Sequence, residues 1–231
     1  MKMSWFIVPL IIVTCLAVCD RLTDSATAAP KVKAVRLFNG KDLAGWTPML
    51  WDGRNRKPDT ATPVDRVWTV NDGILMCSGR PTGYLRSKAT YENYKLEFEW
   101  RWSPGSNGGN SGVLVHTTTP EALGQWPKSV EVQLFRRNAG DFWTIGTELD
   151  VENESERKKG RRHLNLTDDS EKEIGEWNRM VVTCQANEIV VHVNGDLVNS
   201  ATNCTETKGA ICFQAEGAAI HFRNIVLTPL E

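Results

Sequence analysis

From Lys95 to Trp102 (K-L-E-F-E-W-R-W) every second residue is apolar. Successive side chains of an extended chain point to opposite faces. The segment therefore predicts a strand with Leu96, Phe98, Trp100 and Trp102 on one side and Lys95, Glu97, Glu99 and Arg101 on the other. Ser103 to Gly112 (S-P-G-S-N-G-G-N-S-G) cannot hold a regular element and reads as a connection. Val113 to Thr117 returns as a strand, and Val130 to Phe135 (V-E-V-Q-L-F) alternates again, with Val130, Val132 and Leu134 opposed to Glu131 and Gln133. A strand that buries one face and sets a carboxylate and an amide on the other suits a sheet whose second face binds something polar.

The same reading extends along the chain. Val35 to Trp46 opens with a short strand and an Asn39-Gly40 turn, and Pro48, Gly53, Pro58 and Pro63 predict a long loop over Met49 to Pro63. On it, Trp51, Arg54 and Arg56 either line a cleft or, more plainly, sit on a surface loop. Val67 to Cys77 is a hairpin about Asn71-Asp72-Gly73. Gly83 to Ser87 follows as a strand, with a turn at Tyr91-Glu92-Asn93. Asp141 to Ile145, Arg179 to Gln185, Ile189 to Asn194, Asp196 to Asn199, Gly209 to Gln214 and Ala219 to Leu227 complete the strand candidates. Glu148 to Asp169 is the most charged stretch; its acidic half faces a basic half (R-K-K-G-R-R-H), which favours a solvated loop over a polyanion patch. Short turns and no long amphipathic helix predict an all-β fold, a two-sheet antiparallel sandwich or jelly roll.

Lys2, the uncharged run Trp5 to Val18 and Ala26-Thr27-Ala28 predict a secretory signal peptide over 1–28, then a short linker, 29–34, and a single domain, 35–231. The run is shorter than the roughly 20 residues of a membrane span, and no later stretch would serve as one. Export to the periplasm or beyond is the expectation, with lipidation at Cys19, in Leu16-Ala17-Val18-Cys19, as the alternative. A net charge of −1 gives no reason to expect nucleic acid as a partner. The nine tryptophans either fill a β core or stack on sugar rings. Cys77, Cys184, Cys204 and Cys212 leave three full disulfide pairings open. No close C-x-x-C spacing, histidine cluster or D-x-D-x-D-G loop points to a metal or other cofactor, and no feature indicates an oligomeric state.

Leu37-Phe38-Asn39-Gly40-Lys41-Asp42-Leu43 with Gly45-Trp46 resembles the opening signature of the 3-keto-disaccharide hydrolase family (3-keto-glucoside hydrolases and lyases). Tyr91-Glu92-Asn93-Tyr94, Gly109-Asn110-Ser111-Gly112-Val113, Glu131-Val132-Gln133-Leu134, Gly175-Glu176-Trp177-Asn178, Asn194-Gly195 and Phe222-Arg223-Asn224-Ile225 are similar to it in the same order. The resemblance implies a concanavalin A-like jelly roll, as in lectins and β-glucanases. It also implies an exported hydrolase or lyase acting on 3-keto-disaccharides or 3-keto-glucosides. A ketone at C3 acidifies the C2 proton, so the glycosidic group leaves by elimination and water adds afterwards. That route needs a base, donors to an enolate and an acid for the leaving oxygen. The chain departs from the family pattern at three positions: Arg136 where an aspartate is usual, His116 where arginine is usual, and Glu216-Gly217 in place of histidine-glycine. These departures keep open the alternative of a non-catalytic carbohydrate-binding module of the same fold.

Strand parity gathers the candidates. Glu131 is the expected general acid/base and Glu216 a second carboxylate. Arg101 or His116 is the electrophilic donor, and Gln133 and Gln214 bind sugar hydroxyls. Asn110 and Ser111 lie in the glycine-rich turn, and Trp143 lies near the polar face. Glu99 either joins them or forms a surface cross-strand pair with Arg101, worth about 0.2–1 kcal/mol; His116 has a structural histidine as its plainer reading. A retaining glycosidase needs two carboxyls about 5 Å apart, supplied on such a strand by E-x-D-x-x-E. Here Gln133 and Arg136 stand at the second and third positions, against β-glucanase chemistry.

Overall fold

The alternating segments pair into two antiparallel sheets whose apolar faces bury one another. The computed structural model describes residues 33–231, which form one compact unit; the signal-peptide expectation and Cys19 lie outside the described residues. The eight-stranded sheet has Tyr94–Trp102 at its centre, flanked by Asn178–Gln185 and Ile220–Pro229. Beyond Asn178–Gln185 lie Glu188–Val193 and Asp196–Ala201; beyond Ile220–Pro229 lie Ile74–Cys77 and Trp68–Asn71. The ten-stranded sheet has as its middle Phe142–Ile145, Ser129–Gln133, Gly112–Thr117, Lys208–Ala215, Gly83–Ser87 and Trp46–Asp52, in that spatial order. Among the described residues the helical turns are short, Val64–Arg66 and Glu154–Arg157.

Phe213 of the ten-stranded sheet ties the layers together. Its ring meets Phe98 at 5.3 Å and Phe222 at 4.7 Å, both from the eight-stranded sheet, and Trp46 at 5.7 Å, all edge to face. Leu96, Phe98, Trp100 and Trp102 are all buried in this core, as alternation predicts, and so are Val130, Val132 and Leu134. Apolar side chains therefore occupy the inner face of each central strand, and every polar partner in the alternation is turned outward.

Three expectations change. Trp46–Asp52 is a strand and not the start of a loop, because Trp46 and Leu50 bury inward while Pro48 sits where the neighbouring Lys57–Pro58 strand covers only the far end. A residue without an N–H is tolerated on such a largely open edge. Trp51 is consequently buried, and Arg54 and Arg56 remain exposed in the turn beyond it. Tyr91–Glu92 is not only a turn, since it pairs with Lys208 and Gly209. The charged stretch is not simply solvated: Arg157 is buried, donating to the carbonyls of Glu152 and Leu164 and to Asn199 Oδ1, and His163 is buried beside it in sequence space. The cysteines at 77, 184, 204 and 212 are all buried free thiols, so no pairing among them is formed.

Phe213→Ala removes the ring common to both layers and is expected to cost about 3–5 kcal/mol, read as a lowered midpoint in urea unfolding. A loss below about 1 kcal/mol would show that the seam does not carry the packing assigned to it.

Candidate functional site

Register fixes which side chains share the outer face of the ten-stranded sheet. Glu131 stands opposite Leu114 on one side and Trp143 on the other, and Gln133 stands opposite Gly112. Cys212 is opposite both Leu114 and Arg86, and Gln214 is opposite Tyr84. Tyr84 and Arg86 in turn face Met49 and Thr47. Residues directly opposite in an antiparallel pair point to the same side. One continuous face therefore carries Trp143, Glu131, Gln133, Gln214, Tyr84, Arg86, Met49 and Thr47, while Val113, Val130, Val132 and Phe213 line the core behind it. Leu114, Cys212, Ile145 and Tyr84 form a small apolar patch on this face, covered by Trp126 and Met49.

Gly112 opens the centre of the face. A Cβ there would lie 2.2 Å from Gln214 Oε1 and 2.9 Å from Glu131 Oε1, so both side chains close over the space that a side chain would fill. The Gln214 amide is buried, and neither of its polar atoms has a hydrogen-bond partner among the described residues. Burial pushes the Glu131 carboxyl up to about 8, the Glu216 carboxylate raises it further, and the Gln214 amide and the Arg161 guanidinium partly offset the rise. Burial pushes Glu216 up to about 7, and its Oε2 is also unpartnered. Two carboxyls that oppose each other's ionisation hold one proton between them near neutral pH. An acid and a base thus coexist on one surface, beside an amide with free valences.

Trp143 lies across the ladder from Glu131, with Arg161 5.4 Å from its ring centre. Asn110 is half-buried at the entry to the Gly112–Thr117 strand, with an unpartnered Oδ1. Four expected members do not join the group. Ser111 is fully buried and its Oγ donates to the Gln214 carbonyl at 2.9 Å, so it pins the glycine-rich turn to the neighbouring strand. His116 has a φ of 53° at a register shift between its strand and Lys208–Ala215. The shift turns its ring inward against Tyr94, 5.9 Å away, where burial lowers its pKa to about 4. It is a neutral core histidine. Glu99 and Arg101 lie on the outer face of the other sheet, behind the core from Glu131. Glu99 accepts from Arg223 and Asn224; Arg101 stacks on Trp177 at 4.5 Å and donates to His221.

Sequence reasoning missed Arg161, Tyr84 and Arg80, whose Nη2 would be 3.5 Å from a Cβ on Gly217, next to Glu216. Tyr84 was within reach of parity, since it alternates with the buried Leu85 on Gly83–Ser87. Arg161 sits in a two-residue turn between Lys158–Lys159 and Arg162–His163, where no period exists to orient it.

Comparison with known proteins places this geometry. A family model described as a 3-keto-alpha-glucoside-1,2-lyase-like domain matches residues 33–228. A 3-keto-disaccharide hydrolase of Bacteroides thetaiotaomicron is 21% identical over 178 residues, 71% of this chain and 57% of that protein, so the match spans little more than half of the relative. A Parabacteroides distasonis chain, provisionally described as a glycosyl hydrolase, superposes with a TM-score of 0.59 at 22% identity, covering 86% of this chain and 94% of that one. The β-glucanase of Bacillus licheniformis gives 0.53 at 14% identity, over 88% and 100%. The fold is the jelly roll of the glucanase and lectin kind.

The carboxyl assignment has a stability signature. The folded pKa of Glu131 lies above the ordinary 4.5, so the folded state binds the proton more tightly than the unfolded chain does. The favourable contribution is complete below about pH 4.5 and is lost as pH rises through about 8. Glu131→Gln keeps the shape and removes the charge. Urea unfolding at about pH 5 and about pH 9 is expected to show the variant gaining a few kcal/mol on the wild type at the higher pH. Parallel pH dependence in the two proteins would contradict the burial of an ionisable Glu131.

Proposed function

The chain belongs to the 3-keto-alpha-glucoside-1,2-lyase-like family, and from that premise we propose that it is an exported enzyme cleaving 3-keto-glycosides, 3-keto-disaccharides among them. The observation that supports this most directly is the pair of buried, mutually opposed carboxyls, Glu131 and Glu216, beside the unpartnered Gln214 amide. The reaction is elimination across C1 and C2 of the oxidised sugar, then addition of water. Export is supported by the apolar run Trp5 to Val18 and the small residues Ala26-Thr27-Ala28.

The roles follow from the order of ionisation. The Glu216 charge helps hold Glu131 protonated, so Glu216 is the base and Glu131 the acid. Glu216 takes the C2 proton, and the C2–H electron pair moves toward the C3 ketone, whose oxygen gathers negative charge. Arg161 places a cation near this face, and donors aimed at developing charge lower the barrier. The enolate then re-forms the ketone as C1=C2 appears and the C1–O bond breaks, and Glu131 supplies the proton to the leaving oxygen. Water adds back across C1=C2, with the two carboxyls exchanging roles. Gln133 and Gln214 hold the ring hydroxyls, and Trp143 lies beside the ring that Glu131 serves. Because the C3 ketone carries the electrons, no second carboxylate is needed to stabilise an oxocarbenium ion, in keeping with Gln133 and Arg136 at the glucanase positions.

Purified protein is expected to release both sugars from a 3-keto-disaccharide such as 3-keto-trehalose. Glu131→Gln is expected to lower kcat by at least ~100-fold, the usual contribution of a positioned acid or base. Binding of the substrate without turnover by the wild type would leave a carbohydrate-binding module instead. Gly112→Ala, which leaves both carboxyls in place but displaces Gln214 and Glu131, is expected to cost at least ~10-fold in kcat/KM with the fold intact by circular dichroism; unchanged turnover would separate that glycine from the site.

A further inference from the structure

The face that carries the carboxyls continues past Gln214 into a cavity of about 230 Å³, lined by Thr47, Met49, Tyr84, Arg86, Thr118 and Pro127. The first four of these occupy the same register rows as Gln214 and Cys212. The far wall comes from the connection after Gly112–Thr117, held down where Thr82 Oγ1 donates to Gln125 Oε1 at 3.0 Å and where Trp126 packs over Leu114 and Cys212. The floor is a sheet and the roof a loop, both fixed.

Its lining is that of a ligand site: apolar Met49 and Pro127 with a few polar groups at the edges. The Tyr84 hydroxyl makes no hydrogen bond among the described residues. Arg86 uses one guanidinium nitrogen on the Ser87 carbonyl at 3.4 Å, which leaves its remaining donors unused. The volume lies below the ~300–1,000 Å³ of sites for drug-sized ligands and suits one sugar ring. Neighbouring strands lie about 4.8 Å apart. The Gly83–Ser87 strand is three strands from Ser129–Gln133, which puts the cavity about 10–15 Å from the carboxyls. Two linked rings bridge that distance.

We infer that this cavity is the subsite for the leaving sugar, the unoxidised ring of the disaccharide. Its ligand is a neutral hexopyranose, with its C–H face on Met49 and Pro127 and its hydroxyls meeting Tyr84, Arg86, Thr47 and Thr118. The inference rests on the proposed function for the oxidised ring and adds where its partner sits. It accounts for a specificity that the carboxyl pair alone cannot provide, because elimination requires only the C3 ketone and is indifferent to the group that leaves.

The test compares 3-keto-trehalose with methyl 3-keto-glucoside, which has no second ring, using the full chain. Thr47→Trp fills the cavity from its exposed rim. It is expected to lower the ratio of kcat/KM, disaccharide over methyl glycoside, by at least ~10-fold. Tyr84→Phe removes only the hydroxyl and is expected to lower the same ratio by at least ~3-fold. Equal losses on both substrates, or none, overturn the subsite and leave the proposed reaction standing. If the wild type turns over neither substrate, the proposed reaction falls and titration calorimetry with unoxidised trehalose decides the cavity by itself. Binding weakened at least ~5-fold by Thr47→Trp supports it; absent or unaltered binding overturns it.

Discussion

The register of the ten-stranded sheet is the constraint on which everything else depends. Side chains alternate with a period of two, so a slip of one residue would drive Glu131 and Gln133 into the core and expose Val130 and Val132. Phe213, locked between Phe98 and Phe222, forbids that slip on its own strand, and the ladder transmits the choice to Gly112–Thr117 and Ser129–Gln133. The polar surface is the obligatory reverse of the hydrophobic core. Residues far apart along the chain meet there because their apolar neighbours have already met behind them.

What collects on that surface is costly to bury. A carboxyl away from water resists ionisation, and an amide without partners forfeits hydrogen bonds that water would supply. Glu131, Glu216 and Gln214 accept both penalties within one small area. The core on the inner side provides the stability against which such strain is tolerated. Gly112 makes the arrangement sterically feasible: the missing side chain is the space that the two acidic and amide groups share. The resulting environment holds one proton between two carboxyls near neutrality, the condition for an acid and a base to work at one pH.

Much of the fold was legible because its strands alternate cleanly. Leu96 to Trp102 and Val130 to Leu134 declare their inner faces, and Glu131, Gln133 and Gln214 follow by parity. Parity failed where the backbone departs from a regular ladder. His116 shares the parity of Leu114, yet a positive φ at a register shift turns it inward; no sequence period marks that bulge. Glu99 and Arg101 were assigned the correct side of their strand but the wrong sheet, since alternation within one strand says nothing about which layer it joins. Pro48 and Pro58 disguised an edge strand as a loop, and Arg157 disguised a buried anchor as a solvated charge because composition alone does not show what Asn199 would offer it. The connection from Lys158 to His163 has no period, so Arg161 was invisible until the chain was folded.

The central claim is that the carboxyl pair removes a proton from carbon beside a ketone. Running the reaction on a 3-keto-disaccharide in deuterium oxide and examining C2 of the released 3-keto sugar by proton NMR tests it most directly. Elimination followed by hydration places solvent deuterium at C2 of the product, and the C2 proton signal is lost in step with cleavage. Release of a product that keeps its original C2 proton would mean that the glycosidic bond is broken by direct displacement, and would contradict the account.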